Sequence, residues 1–264
     1  MEKLQLKNIT LVIIDSMNLE RAQIALNICE KYIDFGDVKL LTDLEDLKDK
    51  RIVKIEKIDS IKKYSTFCIK ELNNYVNTDY CLLIQYDGFV LNHNLWKSEF
   101  LDYDYIGAPV YNHSGELCLN GGFSLRSKKL LTILQDSNIK TDLLDKIGED
   151  YFISFVNRQY LTERGIKFPE HNIAESFSIE TSFNKKDSKD VRSFGYHGIS
   201  MNLNDFFLKN PEFRNLNKFN KGEVVFLKSS YSKILKSLSK YPFIRSKVRF
   251  FLLIFKKIYY SIFY

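Results

Sequence analysis

The chain is poor in cysteine, proline and glycine, and each shortage excludes something. Its 264 residues hold four Cys, four Pro and eleven Gly. Cys68 and Cys81 are the closest cysteines, 13 positions apart. With no Cys-x-x-Cys pair, a cysteine-rich zinc site is excluded and a secreted disulfide framework is disfavoured. So few Gly and Pro leave no room for collagen-like or low-complexity sequence. The opening residues, MEKLQLKNIT, lack the apolar stretch and small-residue cleavage site of a signal peptide. The expected compartment is the reducing cytoplasm. Long apolar runs are scarce too: the longest in the C-terminal tail, Phe250 to Phe255, is six residues, against roughly 17–25 for a membrane span.

What is present suffices for a folded domain. Hydrophobic residues make up 45% and charged residues 27%, which excludes global disorder. The net charge of +6 is unevenly spread. Residues 221–264 carry eight Lys and two Arg against the single acid Glu223, a net of +9. The preceding 220 residues hold 29 basic and 32 acidic side chains, a net of −3. A mildly acidic body is not the electrostatic footprint of a nucleic-acid enzyme. The chain therefore reads as a body, 1–220, and a basic aromatic tail, 221–264. In the tail Ile244, Val248, Phe251, Leu252, Phe255, Ile258, Tyr259 and Ile262 share one helical stripe, flanked by Arg245, Lys247, Arg249, Lys256 and Lys257. That pattern suits an in-plane amphipathic helix on anionic lipid, or a helix docked on the body.

The N-terminal half alternates short apolar runs with helical periodicity. Ile9–Ile14, Val38–Leu41, Ile52–Ile55 and Cys81–Ile84 read as strands. Asn18 and Ser60 are available as N-caps for the helices between them. The inner face of the second helix is expected to hold Ile61, Tyr64, Phe67, Cys68, Leu72 and Tyr75. Strands separated by helices predict an α/β fold with a mostly parallel, two-sided sheet. Ser127 opens a further helix, and another runs from Glu149 to about Arg164, stopped by Gly165. The stretch 172–192 reads as a polar, irregular loop.

Four constellations could carry chemistry. Gln85-Tyr86-Asp87-Gly88 follows the fourth strand, where an α/β sheet presents its ligand groups, and a carboxylate there suits a hard cation; a plain Asp-Gly turn is the structural alternative. Asn120-Gly121-Gly122 precedes an apolar strand, so that either a ligand approaches the backbone closely or the chain simply turns. Glu149-Asp150 after Gly148 opens a helix, where acids complement the dipole or act as a general base. His197, between Gly195 and Gly198 in a loop, is a ready metal ligand. His93, His113 and His171 have no such setting and read as surface residues.

Together LLIQYDGFVLN, Trp96, EFLDYDYIGAP, NGGFSLRS, Glu149-Asp150 and FGYHG resemble a bacterial family of unknown function found in surface-polysaccharide loci. The same order resembles GT-A glycosyltransferases, which have a Rossmann-related fold. That resemblance implies a nucleotide-sugar donor and a glycan or lipid-linked glycan acceptor; the basic tail adds the expectation of a protein peripheral on the inner face of the cell membrane. It implies Asp87 and His197 as ligands of Mn2+ or Mg2+, with Gln85 standing where a full DxD motif has its first acid. Asp15 and Asp43 would contact the nucleoside, and Lys70 the diphosphate. Trp96, Tyr105, Asn120, Gly121 and Gly122 would shape the sugar and acceptor pocket. Asp150 would be the base of an inverting transfer, with Glu149 as second choice. Two other readings stay open: a nucleotidyltransferase, for which Asp15–Glu20 offers no basic Gly-rich phosphate loop, and a non-catalytic membrane-bound partner of a polysaccharide assembly complex.

Overall fold

The computed structural model describes residues 2–111, 115–180 and 193–198. The tail 221–264 with its apolar stripe, His113 and most of the expected loop 172–192 lie outside the described residues.

The first half folds as its alternation predicts. Strand β1 (Leu4–Ile14) leads to helix α1 (Leu19–Glu30), β2 (Ile33–Thr42), β3 (Ile52–Lys54), α2 (Ile61–Lys70) and β4 (Tyr80–Ile84). Strand β1 pairs in parallel with β2 on one side and with β4 on the other, and β3 extends the sheet beyond β2. Side chains of β1 alternate between two cores: Leu11 and Ile13 pack with Ala22 and Leu26 of α1, Val12 and Ile14 with Phe67 and Cys68 of α2. A sheet covered on both faces explains why these strands are apolar throughout. Asn18 accepts from the Arg21 amide and Ser60 from the Lys63 amide, so both N-caps stand where expected. Ile61 is a correction: it is 76% exposed, because it opens α2 ahead of the turn that meets the sheet.

After β4 come β5 (Gly88–Val90), β6 (Tyr105–Ile106), β7 (Pro109–Tyr111), β8 (Leu117–Leu119), β9 (Phe123–Ser127), α3 (Lys128–Leu134), α4 (Glu149–Tyr151), α5 (Arg158–Glu163), α6 (His171–Phe177), β10 (Ser178–Ile179) and β11 (Gly195–His197). The main sheet runs β3-β2-β1-β4-β9-β6, with β9 antiparallel to both neighbours. A small sheet orders β10-β11-β5, and β7 pairs with β8. Ser127 caps α3, accepting from the Leu130 amide. The helix expected from Glu149 is broken by a π-helical turn, Phe152–Val156, before it ends near Gly165 at φ +75; such turns recur beside functional sites. Part of the expected loop is ordered as α6 and β10, since Ala174 and Phe177 at helical spacing are both fully buried. Phe177 packs with Phe100, Phe123 and Phe194, an aromatic plug that anchors β11 against β9.

Candidate functional site

Three segments meet at the carboxyl end of the parallel strands. Strand β4 passes directly into Gln85, Tyr86 and Asp87, the position where an open α/β sheet presents ligand groups. Strand β9 begins opposite, with Phe123 paired to Ile84. The Gly121–Gly122 turn therefore stands beside Gln85, whose amide donates to the Gly122 carbonyl at 2.8 Å. Strand β5 turns back and pairs with β11, setting His197 opposite Gly88. The Gly198 amide donates to the Asp87 carbonyl at 3.0 Å.

The imidazole of His197 sits at the centre of a polar group. Its Nε2 lies 3.2 Å from Gln85 Oε1, although the two residues are 112 positions apart in the chain. The same nitrogen is 3.6 Å from Asp87 Oδ1, and Nδ1 is 3.6 Å from Glu180 Oε1. Asn120 ties the group together: its amide donates to Glu180 at 3.4 Å and its Oδ1 accepts from the Gly122 amide at 2.8 Å. The ring rests on Gly122, where a Cβ would come within 2.0 Å of Nε2. Asp87 Oδ1 and His197 Nδ1 are buried without a hydrogen-bond partner among the described residues. Burial opposes a charge on His197, but the Asp87 and Glu180 carboxylates beside it outweigh this and hold its pKa at about 10. The surroundings thus favour positive charge, whether a proton or a bound cation.

The other side of the glycine turn carries Glu149 and Asp150, which have separate fates. Asp150 is half-buried, and its Oδ2 accepts from the Gly121 amide at 3.2 Å. Glu149 is buried and paired at 2.9 Å with Arg126, which has no exposed surface. Burial pushes the Glu149 carboxyl up, against the pull of the Arg126 guanidinium. Gly121 passes directly over the pair, since a Cβ there would meet Glu149 Oε1 at 2.5 Å.

The remaining sequence candidates divide. Asp15 is buried and accepts from the Met17 and Asn18 amides and, doubly, from Arg21. Arg21 in turn lies over the Tyr86 ring at 4.2 Å, which connects Asp15 to the residue beside Asp87. The amides after β1 are thereby engaged by a carboxylate, so this loop is not a phosphate cradle. Asp43 directly follows β2, with Oδ1 buried and without a hydrogen-bond partner among the described residues.

Two expected contacts, Tyr105 and Lys70, are corrected by position, and Trp96 is half-buried. Tyr105 is fully buried on β6, its hydroxyl donating to the Leu119 carbonyl at 3.3 Å, so it offers no ring face to a sugar. Trp96 packs edge-on against Phe100 and Phe194 in the aromatic plug. Lys70 ends α2, and a crossover helix ends at the amino edge of the sheet, opposite to Asp87. Its Nζ donates to the Leu134 and Asp136 carbonyls at 2.9 and 2.8 Å. Lys70→Met is therefore expected to lower stability by about 1 kcal/mol and to leave unchanged the affinity for a nucleotide sugar, the ligand expected from the sequence, by thermal melting and titration calorimetry; a tenfold loss of affinity would return Lys70 to the site.

Sequence reasoning missed Glu180, Arg21 and Arg126. For Arg126 a faint signal existed: an Arg inside a short strand, FSLRS, needs an acidic partner if its face of the sheet is covered. Glu180 left no local trace.

A family model described as "Protein of unknown function (DUF5672)" matches residues 49–197, a span that contains Asp87, the glycine turn, Asp150, Glu180 and His197. No curated protein matches the chain. Among solved structures, it is similar to a glycosyltransferase involved in the glycosylation of the major capsid of PBCV-1, at 12% identity and a TM-score of 0.45, covering 80% of this chain and 98% of that one. It is also similar to the apo-form glycosyltransferase GlyE of Streptococcus pneumoniae TIGR4, at 12% identity and 0.42, covering 76% of this chain and 55% of the other. A197 from STIV aligns at 13% identity and 0.33, over 55% and 74%.

Proposed function

The chain belongs to the DUF5672 family, and from its site we propose that it is a glycosyltransferase, moving a sugar from a nucleotide-sugar donor to a growing surface glycan. The observation that supports this best is the meeting of Asp87 and His197 at the carboxyl end of the sheet, with the Asp150 carboxylate across the Gly121–Gly122 turn. One end of that arrangement suits a charged diphosphate and the other an acceptor hydroxyl.

A divalent cation fits the first end. Among the described residues no three His, Cys, Asp or Glu side chains form a closed metal cage. Mg2+-type ions, however, are commonly held by one or two protein groups plus substrate phosphates. The buried Asp87 Oδ1, with no hydrogen-bond partner among the described residues and 3.6 Å from His197 Nε2, has the donor chemistry required. Asp87 and His197 Nε2 would hold Mn2+ or Mg2+, and Glu180 facing Nδ1 would orient the ring, as carboxylates do for metal-bound histidines. When bound, the cation offsets charge on the departing nucleoside diphosphate. Gln85 supplies a neutral amide where a second carboxylate would otherwise stand.

The chain's own groups do the rest. Asp15, through Arg21 and Tyr86, and Asp43 would face the nucleoside. Asn120 orients Glu180 and the glycine turn. Asp150 would take the proton of the acceptor hydroxyl as it attacks the anomeric carbon, and a single base opposite the leaving group gives inversion. The basic tail would bring this site to an anionic membrane surface and its lipid-linked acceptors. Truncation after Gly222 should abolish sedimentation with phosphatidylserine vesicles; equal binding before and after would overturn that role.

The decisive assay incubates the full chain with a panel of nucleotide sugars, with Mn2+ or with EDTA. Metal-dependent release of nucleoside diphosphate is the expected result. Release of pyrophosphate would point to nucleotidyl transfer, and no turnover with any donor would overturn the reading.

A further inference from the structure

We propose that Arg126 is a positioning residue that fixes where Asp150 stands, an inference that rests on the transferase reading above. Arg126 is fully buried in the central sheet, on β9 opposite Cys81 of β4. Removing a guanidinium from water is expensive, and a well-packed apolar pair in its place is often as stable or more so. Stability alone is thus a weak reason for a charge here. Its connections suggest another.

From Arg126 a closed ring of contacts runs through the glycine turn. Arg126 Nε donates to Ser124 Oγ at 3.0 Å, and Ser124 Oγ donates to the Gly121 carbonyl at 2.9 Å. The Gly121 amide donates to Asp150 Oδ2 at 3.2 Å. Asp150 is bonded through the chain to Glu149, whose Oε1 accepts from Arg126 Nη2 at 2.9 Å. Every link is short, and the only exit towards solvent is the half-buried Asp150 carboxylate. Gly121 fits because its missing Cβ leaves room for Glu149 and Arg126, which would otherwise lie 2.5 and 3.0 Å from it. One buried cation therefore restrains both the turn that Asp150 touches and the residue that precedes Asp150. Its Nη1 has no hydrogen-bond partner among the described residues; the guanidinium is held by hydrogen bonds to Glu149 and Ser124 and lies 5.4 Å from the centre of the Tyr105 ring.

The test replaces the ion pair by apolar side chains of similar volume, Arg126→Met with Glu149→Leu, in the full-length protein. A purely structural pair predicts a folded variant with normal function. Positioning predicts a folded variant in which the Gly121 amide exchanges with deuterium about tenfold faster, and in which kcat for transfer falls about tenfold or more while donor KM holds. Asn120–Gly121 is the one Asn-Gly pair in the sequence, so labelling Asn carbonyl carbon and Gly nitrogen isolates that amide in a single NMR signal. The exchange measurement needs no substrate, which separates failure of this inference from failure of the transferase reading. Arg126→Lys is the second variant, since Lys keeps the charge but cannot reach Glu149 and Ser124 together. With Glu149 present it should keep most of the wild-type melting temperature and only part of kcat and of Gly121 protection. Unchanged Gly121 exchange in the folded double variant, or full recovery of both readouts by Lys, would overturn the proposal.

Discussion

Asp150→Asn is expected to lower kcat for sugar transfer by at least about a hundredfold while donor binding persists. General-base assistance contributes roughly 10²–10⁴-fold, and Asp150 is the acid at the glycine turn whose carboxylate is in no ion pair among the described residues. The substitution is nearly isosteric. An Asn Oδ1 can still accept the Gly121 amide, now at 3.2 Å from Asp150 Oδ2, while the contact of Asp150 Oδ1 with the Tyr151 amide at 2.7 Å is given up; one such hydrogen bond is worth about 1 kcal/mol, so the fold should survive the loss of the basic carboxylate. Glu149 cannot take over. It is buried and bound to Arg126, and adjacent helical residues point about 100° apart. Glu149→Gln should instead destabilise the protein by about 3 kcal/mol, because it leaves the buried Arg126 charge uncompensated. Melting curves and steady-state kinetics on both variants separate the two roles. A normal melting temperature with a large kcat loss in Glu149→Gln would move the base to Glu149, and near-normal turnover in both would remove the base from this turn.

How much of this was legible in the sequence depends on how local the physics is. The caps at Asn18, Ser60 and Ser127 follow from one side chain and the amide three residues on. The parallel strands follow from apolar runs that only a two-sided sheet can bury. Asp87 and His197 could be named individually because each stands in a short, unusual setting. The contact of His197 with Glu180 could not, since it depends on β5, β10 and β11 pairing across the chain. The burial of Tyr105 and the packing of Trp96 are hidden from the sequence for a related reason. Strand β6 is two residues long, too short for alternation to reveal which side chain points inward. Trp96 precedes polar residues, Lys97, Ser98 and Glu99, yet turns its ring back onto Phe100 and Phe194. The glycine turn was legible as a close approach. What approaches is the molecule's own His197 and Glu149, so the turn is first of all a seat for side chains of the site.

That seat gives the second large effect. Gly122→Ala is expected to abolish transfer about as fully as His197→Ala, a loss of two orders or more, without unfolding the protein. A methyl at Gly122 would lie 2.0, 2.2 and 2.6 Å from Nε2, Cδ2 and Cε1 of His197, an overlap with three ring atoms that small backbone shifts cannot relieve. Overpacking of this kind ordinarily destabilises by about 1–3 kcal/mol, which a domain with this much buried apolar surface can tolerate. The imidazole is the part able to move, and moving it breaks the contacts to Gln85, Asp87 and Glu180 together. Mn2+ affinity, read by electron paramagnetic resonance in the presence of nucleoside diphosphate, should fall with turnover. Gly121→Ala serves as the internal contrast, because its methyl would press on Glu149 Oε1 and Asp150 Cβ: it should reduce kcat while Mn2+ binding remains. Normal Mn2+ affinity and turnover in a folded Gly122→Ala variant would show that the His197 ring, as placed here, has no part in holding the cation or the donor.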